Sequence, residues 1–366
     1  PILIRPDLFL WGIGTRDCQF MAAEHMTIDA TGGGVSPEVS PRTTIAVRFF
    51  GWAMLSALLV FLINNYLTFW HGWPGEGAAL QLGLHGAATE SSPLAWVQLL
   101  AYVAGIAAAA IYTVKSCSRT LRQDSQCISD FNALLIRMAY FAVLYIGVVD
   151  AVLSFMRVEG LLPAVFGDAL ALELGKSQFR GPYVHLPLTA AAMVTAFFTR
   201  TLGFTWLALL IVIAELLIVI TRFIFSYEQV FMGDLVRFWY AALFLFASAY
   251  TLIEEGHVRV DVFYAAFNSR RKGMVNALGS VFLGITLCWV ILIVGMGGKN
   301  AVINSPVLTW ETTQTGFSMY VKYMMAGFLA VFAISMMIQF VSYMMDAVAD
   351  IRDEPGGRDH SSHTIQ

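Results

Sequence analysis

Three ionisable side chains stand inside otherwise apolar stretches, where a charge facing hydrocarbon is costly and therefore marks either chemistry or a packing contact. Glu215 lies in the middle of an apolar run at 201–225, with no opposite charge three or four residues away on either side. Arg137 and Asp150 share a second run at 131–156 but stand too far apart for a direct pair on one helix. Groups of this kind could couple a solute to a proton or another ion. The reading preferred for them is a structural contact, a hydrogen bond or ion pair to a neighbouring helix or a second subunit. Redox chemistry at haem would require paired histidines inside helices, and of the seven histidines only His185 could fall within a span. A phosphate-binding glycine-rich loop, a zinc-protease helix and a serine-hydrolase elbow are all missing from the sequence. No catalytic residue, cofactor or metal is therefore expected, and the protein is not read as an enzyme.

The densest polar motif is Gly256-His257-Val258-Arg259-Val260-Asp261, preceded by Glu254 and Glu255 and followed by Val262, Phe263 and Tyr264. Gly256 is placed to take the left-handed conformation that ends a helix. The alternation after it suits a short strand, whereas a helical continuation would make Glu255 and Arg259 a favourable i,i+4 pair. Either form is an interfacial elbow. Arg259 would meet a headgroup phosphate or a carboxylate, Asp261 would balance it, and the valines would dip into the apolar boundary.

The elements that must hold these residues follow from composition. The chain of 366 residues is 58% hydrophobic and 13% charged, where soluble domains carry about 25% charged residues. Mean hydropathy is +0.68. A soluble enzyme, a disordered hub and a nucleic-acid binder are excluded, because none of them can leave so much apolar surface in water. The fold class is an all-α integral membrane protein. A spanning helix needs about 20 mostly apolar residues, and runs of that kind fall at 44–70, 93–114, 131–156, 183–199, 201–225, 235–253, 274–297 and 320–346. The run at 183–199 is the weakest, being short and carrying His185 and Pro187. Ala101, Ala104, Gly105 and Ala107 to Ala110 give the second run a small-residue surface suited to close helix packing.

Charge placement orients the chain, since Lys and Arg concentrate in cytoplasmic segments. With about eight spans and both termini inside, Arg42, Lys115, Arg119, Arg122, Arg200, Arg259, Arg270, Arg271, Lys272, Arg352 and Arg358 fall on the inner side. The outer side holds only Arg157, Lys176, Arg180 and Lys299, apart from residues at span boundaries. Arg48, Arg222, Arg237, Lys322 and Asp346 lie near span ends, where long side chains are expected to snorkel. Residues 1–43 and 350–366 read as flexible polar cytoplasmic tails. The four cysteines show no disulfide or metal spacing and are read as reduced thiols.

The segment from Val219-Ile220-Thr221-Arg222-Phe223 through Phe238-Trp239-Tyr240-Ala241-Ala242 to the His257-Val258-Arg259-Val260-Asp261 elbow resembles a known family. That family is the small, DctQ-type membrane subunit of tripartite ATP-independent periplasmic (TRAP) transporters, and Gln339 near the end of the last span fits it as well. The resemblance covers roughly 201–349 as a four-helix membrane domain and leaves the four helices of 44–200 without an assigned role. It implies residence in the bacterial inner membrane, a large TRAP membrane subunit that carries the transport site, and a periplasmic substrate-binding protein that captures an organic acid. This chain would then be a membrane scaffold in contact with lipid, with the elbow as a subunit or interfacial motif. The reading from another class is a self-sufficient transporter or channel, with Glu215, Arg137 and Asp150 along its path.

Overall fold

The computed structural model describes residues 41–79, 92–199, 204–227, 229–253, 264, 267–312 and 318–355. Residues 1–40 and the elbow from Gly256 to Asp261 lie outside them, so the expectations for the N-terminal tail and for that motif concern residues not described. All the regular structure among the described residues is helical. The main helices are α1 (Pro41–His71), α2 (Pro93–Lys115), α3 (Leu121–Val158), α4 (Leu186–Phe198), α5 (Phe204–Ile224), α6 (Val230–Ile253), α7 (Ser269–Met296) and α8 (Lys322–Ile351). Helices prevail for a physical reason: in hydrocarbon every backbone amide and carbonyl must be satisfied within its own segment.

Seven of these helices, all except α4, are long and apolar enough to cross a membrane. The eighth expected span is built differently. The short helix Ser177–Arg180 leads into a π-helical turn, Gly181–His185, which continues directly as α4. Pro182 and Pro187 remove two amide donors here, and the winding widens between them. Thr189 returns its hydroxyl to the His185 carbonyl at 2.8 Å, satisfying one acceptor. A second π segment, Ser280–Ile285, interrupts α7. Gly284 within it lies so close to α8 that an added Cβ would stand 2.6 Å from the Phe340 ring.

Two helices extend well beyond the apolar runs read from the sequence. α3 starts at Leu121 rather than near 131, nucleated by a capping box in which Thr120 Oγ1 accepts from the Gln123 amide and Gln123 answers the Thr120 amide. Its polar first turns bury one side, with Leu121 and Asp124 fully enclosed, and leave Gln123, Gln126 and Cys127 exposed on the other. α8 runs on to Ile351, so Asp350, expected in the tail, belongs to its last turn.

One hydrophobic core joins the first helices to the last, containing Leu58, Ile136, Tyr140, Val143, Phe238, Phe246, Leu292, Met337 and Met345 among others. α3 and α8 lie at its centre, packed along each other and flanked by α1, α4, α6 and α7. Part of the small-residue surface of α2 closes on α1: a Cβ at Gly105 would fall 2.6 Å from Ser56 Oγ and Ala109 is buried, whereas Ala104, Ala107 and Ala108 are exposed. α5 sits at the periphery, packed mainly on α6, and only Leu207 and Ala214 of its residues are buried.

Candidate functional site: buried polar clusters between the helices

Polar side chains enter the bundle at three levels along α3. The middle level is a ladder to α8 whose rungs repeat every seven residues on both helices, the spacing that keeps one seam facing a partner. Ser125 and Ser342 exchange hydroxyl-to-carbonyl bonds of 2.9 and 2.8 Å. One heptad on, Asn132 Nδ2 donates to the Ser335 carbonyl at 2.9 Å and to Gln339 Oε1 at 3.1 Å. Ser and Asn suit this role, because they are small enough to let helices approach and polar enough to bond across them.

At the end of the bundle where α3 begins, Arg48 of α1 and Asp124 of α3 form an ion pair of 2.7 Å with neither side chain exposed. Arg48 also donates to the carbonyl and hydroxyl of Ser116, each at 2.7 Å, and so closes the C-terminal end of α2. Trp52 Nε1 adds a 3.0 Å bond to Asp124. Snorkelling, expected for Arg48, is thus replaced by full burial, since an internal carboxylate lies within reach. Asp346 likewise turns to a protein partner: Arg122 bridges it and Asp350 at 2.8 and 2.6 Å.

The opposite end holds Asp150. Its Oδ1 accepts from Arg180 Nη1 at 2.8 Å and lies 3.2 Å from His185 Nε2, and its Oδ2 accepts from the Tyr320 amide at 2.9 Å. His185 Nδ1 is 2.6 Å from the Tyr323 hydroxyl. A neutral imidazole protonated on Nε2 satisfies both contacts, donating to Asp150 and accepting from Tyr323. Arg180 Nε is held by the Leu174 carbonyl at 2.6 Å, and the Tyr320 hydroxyl by the Gly175 carbonyl at 2.7 Å. The guanidinium groups of Arg157 and Arg180 each stand 4.5 Å from the centre of the Tyr320 ring, where the negative face of the ring attracts them.

This cluster is a clamp. Asp150 is fully buried and committed to partners from the short helix Ser177–Arg180, the π turn and the approach to α8. Chemically it can neutralise charge and fix the stretches of chain that meet at Asp150. No group of three or more His, Cys, Asp or Glu side chains able to hold a metal occurs among the described residues.

The three sequence-selected groups are therefore not brought together. Asp150 anchors the clamp. Arg137 donates to the Thr199 carbonyl at 3.0 Å, placing a positive charge at the C-terminal end of α4, where the helix dipole favours it. Glu215 is exposed at the middle of α5 and makes no hydrogen bond or ion pair with any described residue. The elbow Gly256, His257, Val258, Arg259, Val260 and Asp261 lies outside the described residues, but Tyr264 just after it accepts from Asn276 Nδ2 at 2.8 Å and underlies Lys272.

Arg180, His185, Tyr320 and Tyr323 were not singled out from the sequence as a site. Arg180 reads as an outer-loop charge, and the two tyrosines carry no sequence signal that sets them apart. The legible signal was Asp150 itself, whose burial in an apolar run demands a cationic partner.

The family model for the DctQ component of tripartite ATP-independent periplasmic transporters matches residues 208–348. The match starts in α5 and ends within α8, leaving α1 to α4 outside it. No curated protein and no solved structure matches the chain.

Proposed function

Because residues 208–348 match the DctQ component of tripartite ATP-independent periplasmic transporters, we propose that this chain is the small membrane subunit of such a transporter, enlarged by the helices that precede the match. In this reading a large membrane subunit moves an organic acid or related solute together with Na⁺ or H⁺. A soluble binding protein delivers the solute from the periplasmic side. The present chain lies in the bacterial inner membrane, with both termini in the cytoplasm, and braces the moving subunit against the bilayer.

The observation that carries this reading is the extent of the match, which takes in four successive helices. The disposition of charge is in keeping with it. Asp150 is neutralised in a clamp and Arg137 closes a helix end, so neither is free to bind and release an ion. A brace has to be stiff, and the pairs along α3 and α8 stiffen it. Residues 44–200 are in this view a membrane region that widens the brace, 201–349 the family unit, and 1–43 and 350–366 the tails. The elbow Gly256 to Asp261 serves as the contact with a partner subunit or with lipid headgroups.

The test is recovery of the complex. The tagged chain is extracted from its native membrane in mild detergent, and the proteins that accompany it are identified by mass spectrometry. A larger polytopic subunit is expected, and uptake should require both chains and the binding protein. A chain that is isolated alone and moves solute by itself after reconstitution would overturn the proposal in favour of a self-sufficient transporter.

A further inference from the structure

Glu215 is the one acidic residue of α5, and it stands at the helix centre on an exposed side. Its helical neighbours Val212 and Val219 are also exposed, 63% and 49%, and Leu216 beside it is 56% exposed. α5 is the least enclosed of the seven long apolar helices. Elsewhere this protein treats its buried carboxylates differently: Asp124 and Asp150 each meet an arginine at hydrogen-bond distance with no exposure on either side. Glu215 makes no hydrogen bond or ion pair among the described residues, and its helix packs mainly on α6.

An acidic side chain at mid-membrane depth is costly against lipid, and such residues face a protein neighbour, a cavity or a counter-charge. The described helices supply none of these to Glu215. From this juxtaposition of an apolar outer face and an uncompensated carboxylate at its centre, we infer that the Glu215 side of α5 is the docking face for a transmembrane helix of the large transport subunit, one that presents a lysine, an arginine or a neutral hydrogen-bond donor at the same depth. The inference rests on the proposed function. A second copy of this chain is a poorer occupant, because a two-fold contact centred on Glu215 would bring two carboxylates together. The apolar residues around Glu215 would supply packing area, and the carboxylate would set register and orientation, as a single polar group does in a helix seam.

The test uses the full chain co-expressed with its large membrane subunit. A photo-crosslinking amino acid replaces Val212 or Val219, with Val103 on the exposed side of α2 as a control, and Glu215→Leu and Glu215→Gln are compared for retention of the large subunit in detergent. Covalent adducts to the large subunit are expected from positions 212 and 219 and not from 103. Loss of one interhelical polar contact should lower retention by about three- to tenfold in Glu215→Leu, with Glu215→Gln closer to the parent. Recovery of the complex without adducts at 212 or 219, or unchanged retention in Glu215→Leu, overturns the inference while leaving the functional reading in place. Adducts between two copies of this chain also overturn it. Failure of the unmodified chain to bind any large subunit overturns the functional reading itself.

Discussion

Asp150 of α3 accepts the backbone amide of Tyr320, two residues ahead of α8, at 2.9 Å. The bond crosses from the helices without a family match to the matched segment, and it is made by the same carboxylate that neutralises Arg180 and contacts His185. One buried side chain thus ties three stretches of chain. Together with the Ser125–Ser342 and Asn132–Gln339 rungs, it makes the N-terminal helices part of the same packed body as α8.

Removing one partner of a fully buried ion pair leaves the other uncompensated, at a cost of about 3–5 kcal/mol. Asp150→Leu is therefore expected to destabilise the protein strongly, and Arg180→Met to do so comparably. The double variant should recover much of the loss. Thermal unfolding of the purified variants in detergent checks this, and a single variant as stable as the parent would contradict the clamp.

Gly147 of α3 faces Trp239 of α6, and a Cβ there would stand 2.2 Å from the indole Nε1. Gly147→Ala should push these helices apart and cost about 1–3 kcal/mol, as overpacking does. Gly233→Ala is the control: an added Cβ there meets nothing within 4 Å, so the better helix former should be neutral or slightly stabilising. Melting temperatures of the two variants, measured side by side, should fall on opposite sides of the parent or nearly so.

The elbow is tested through function. Arg259→Ala and Asp261→Ala are each expected to impair complex recovery or solute uptake, while capture of solute by the soluble binding protein stays unchanged. Normal uptake with normal recovery of the complex in both variants would remove the elbow from any role in assembly.

Orientation can be read from Cys117 and Cys127, both exposed near the end of the bundle where α3 begins. If that end is cytoplasmic, a membrane-impermeant maleimide should label them in inside-out vesicles and not in right-side-out ones. Cys288 is buried in α7 and should stay unlabelled in both. The reverse pattern would invert the proposed topology.

Composition and periodicity determined the class of this protein, because about 20 apolar residues in a row have only one stable disposition in a bilayer. They also marked Asp150 as a residue that must find a partner. What they could not convey is which partner, since Arg180 reaches it from a short helix, Ser177–Arg180, whose sequence looks like any polar loop. The same limit explains α3: its first turns, from Leu121 to Asp130, are too polar to read as a span, and one side of them, Leu121, Asp124, Ser125 and Ile128, is enclosed because Arg48, Ser342 and Asp346 are brought against it or beside it. Conversely, Glu215 looks in the sequence like Asp150, a lone carboxylate in an apolar helix, and only the packing separates them. Asp150 faces the interior of the bundle, where protein charge answers it, whereas Glu215 faces outward from a peripheral helix. Local sequence decides that a segment is a membrane helix, because lipid imposes the same demand on every residue of it. Which side of that helix meets protein depends on the other helices, and that is settled only when they pack.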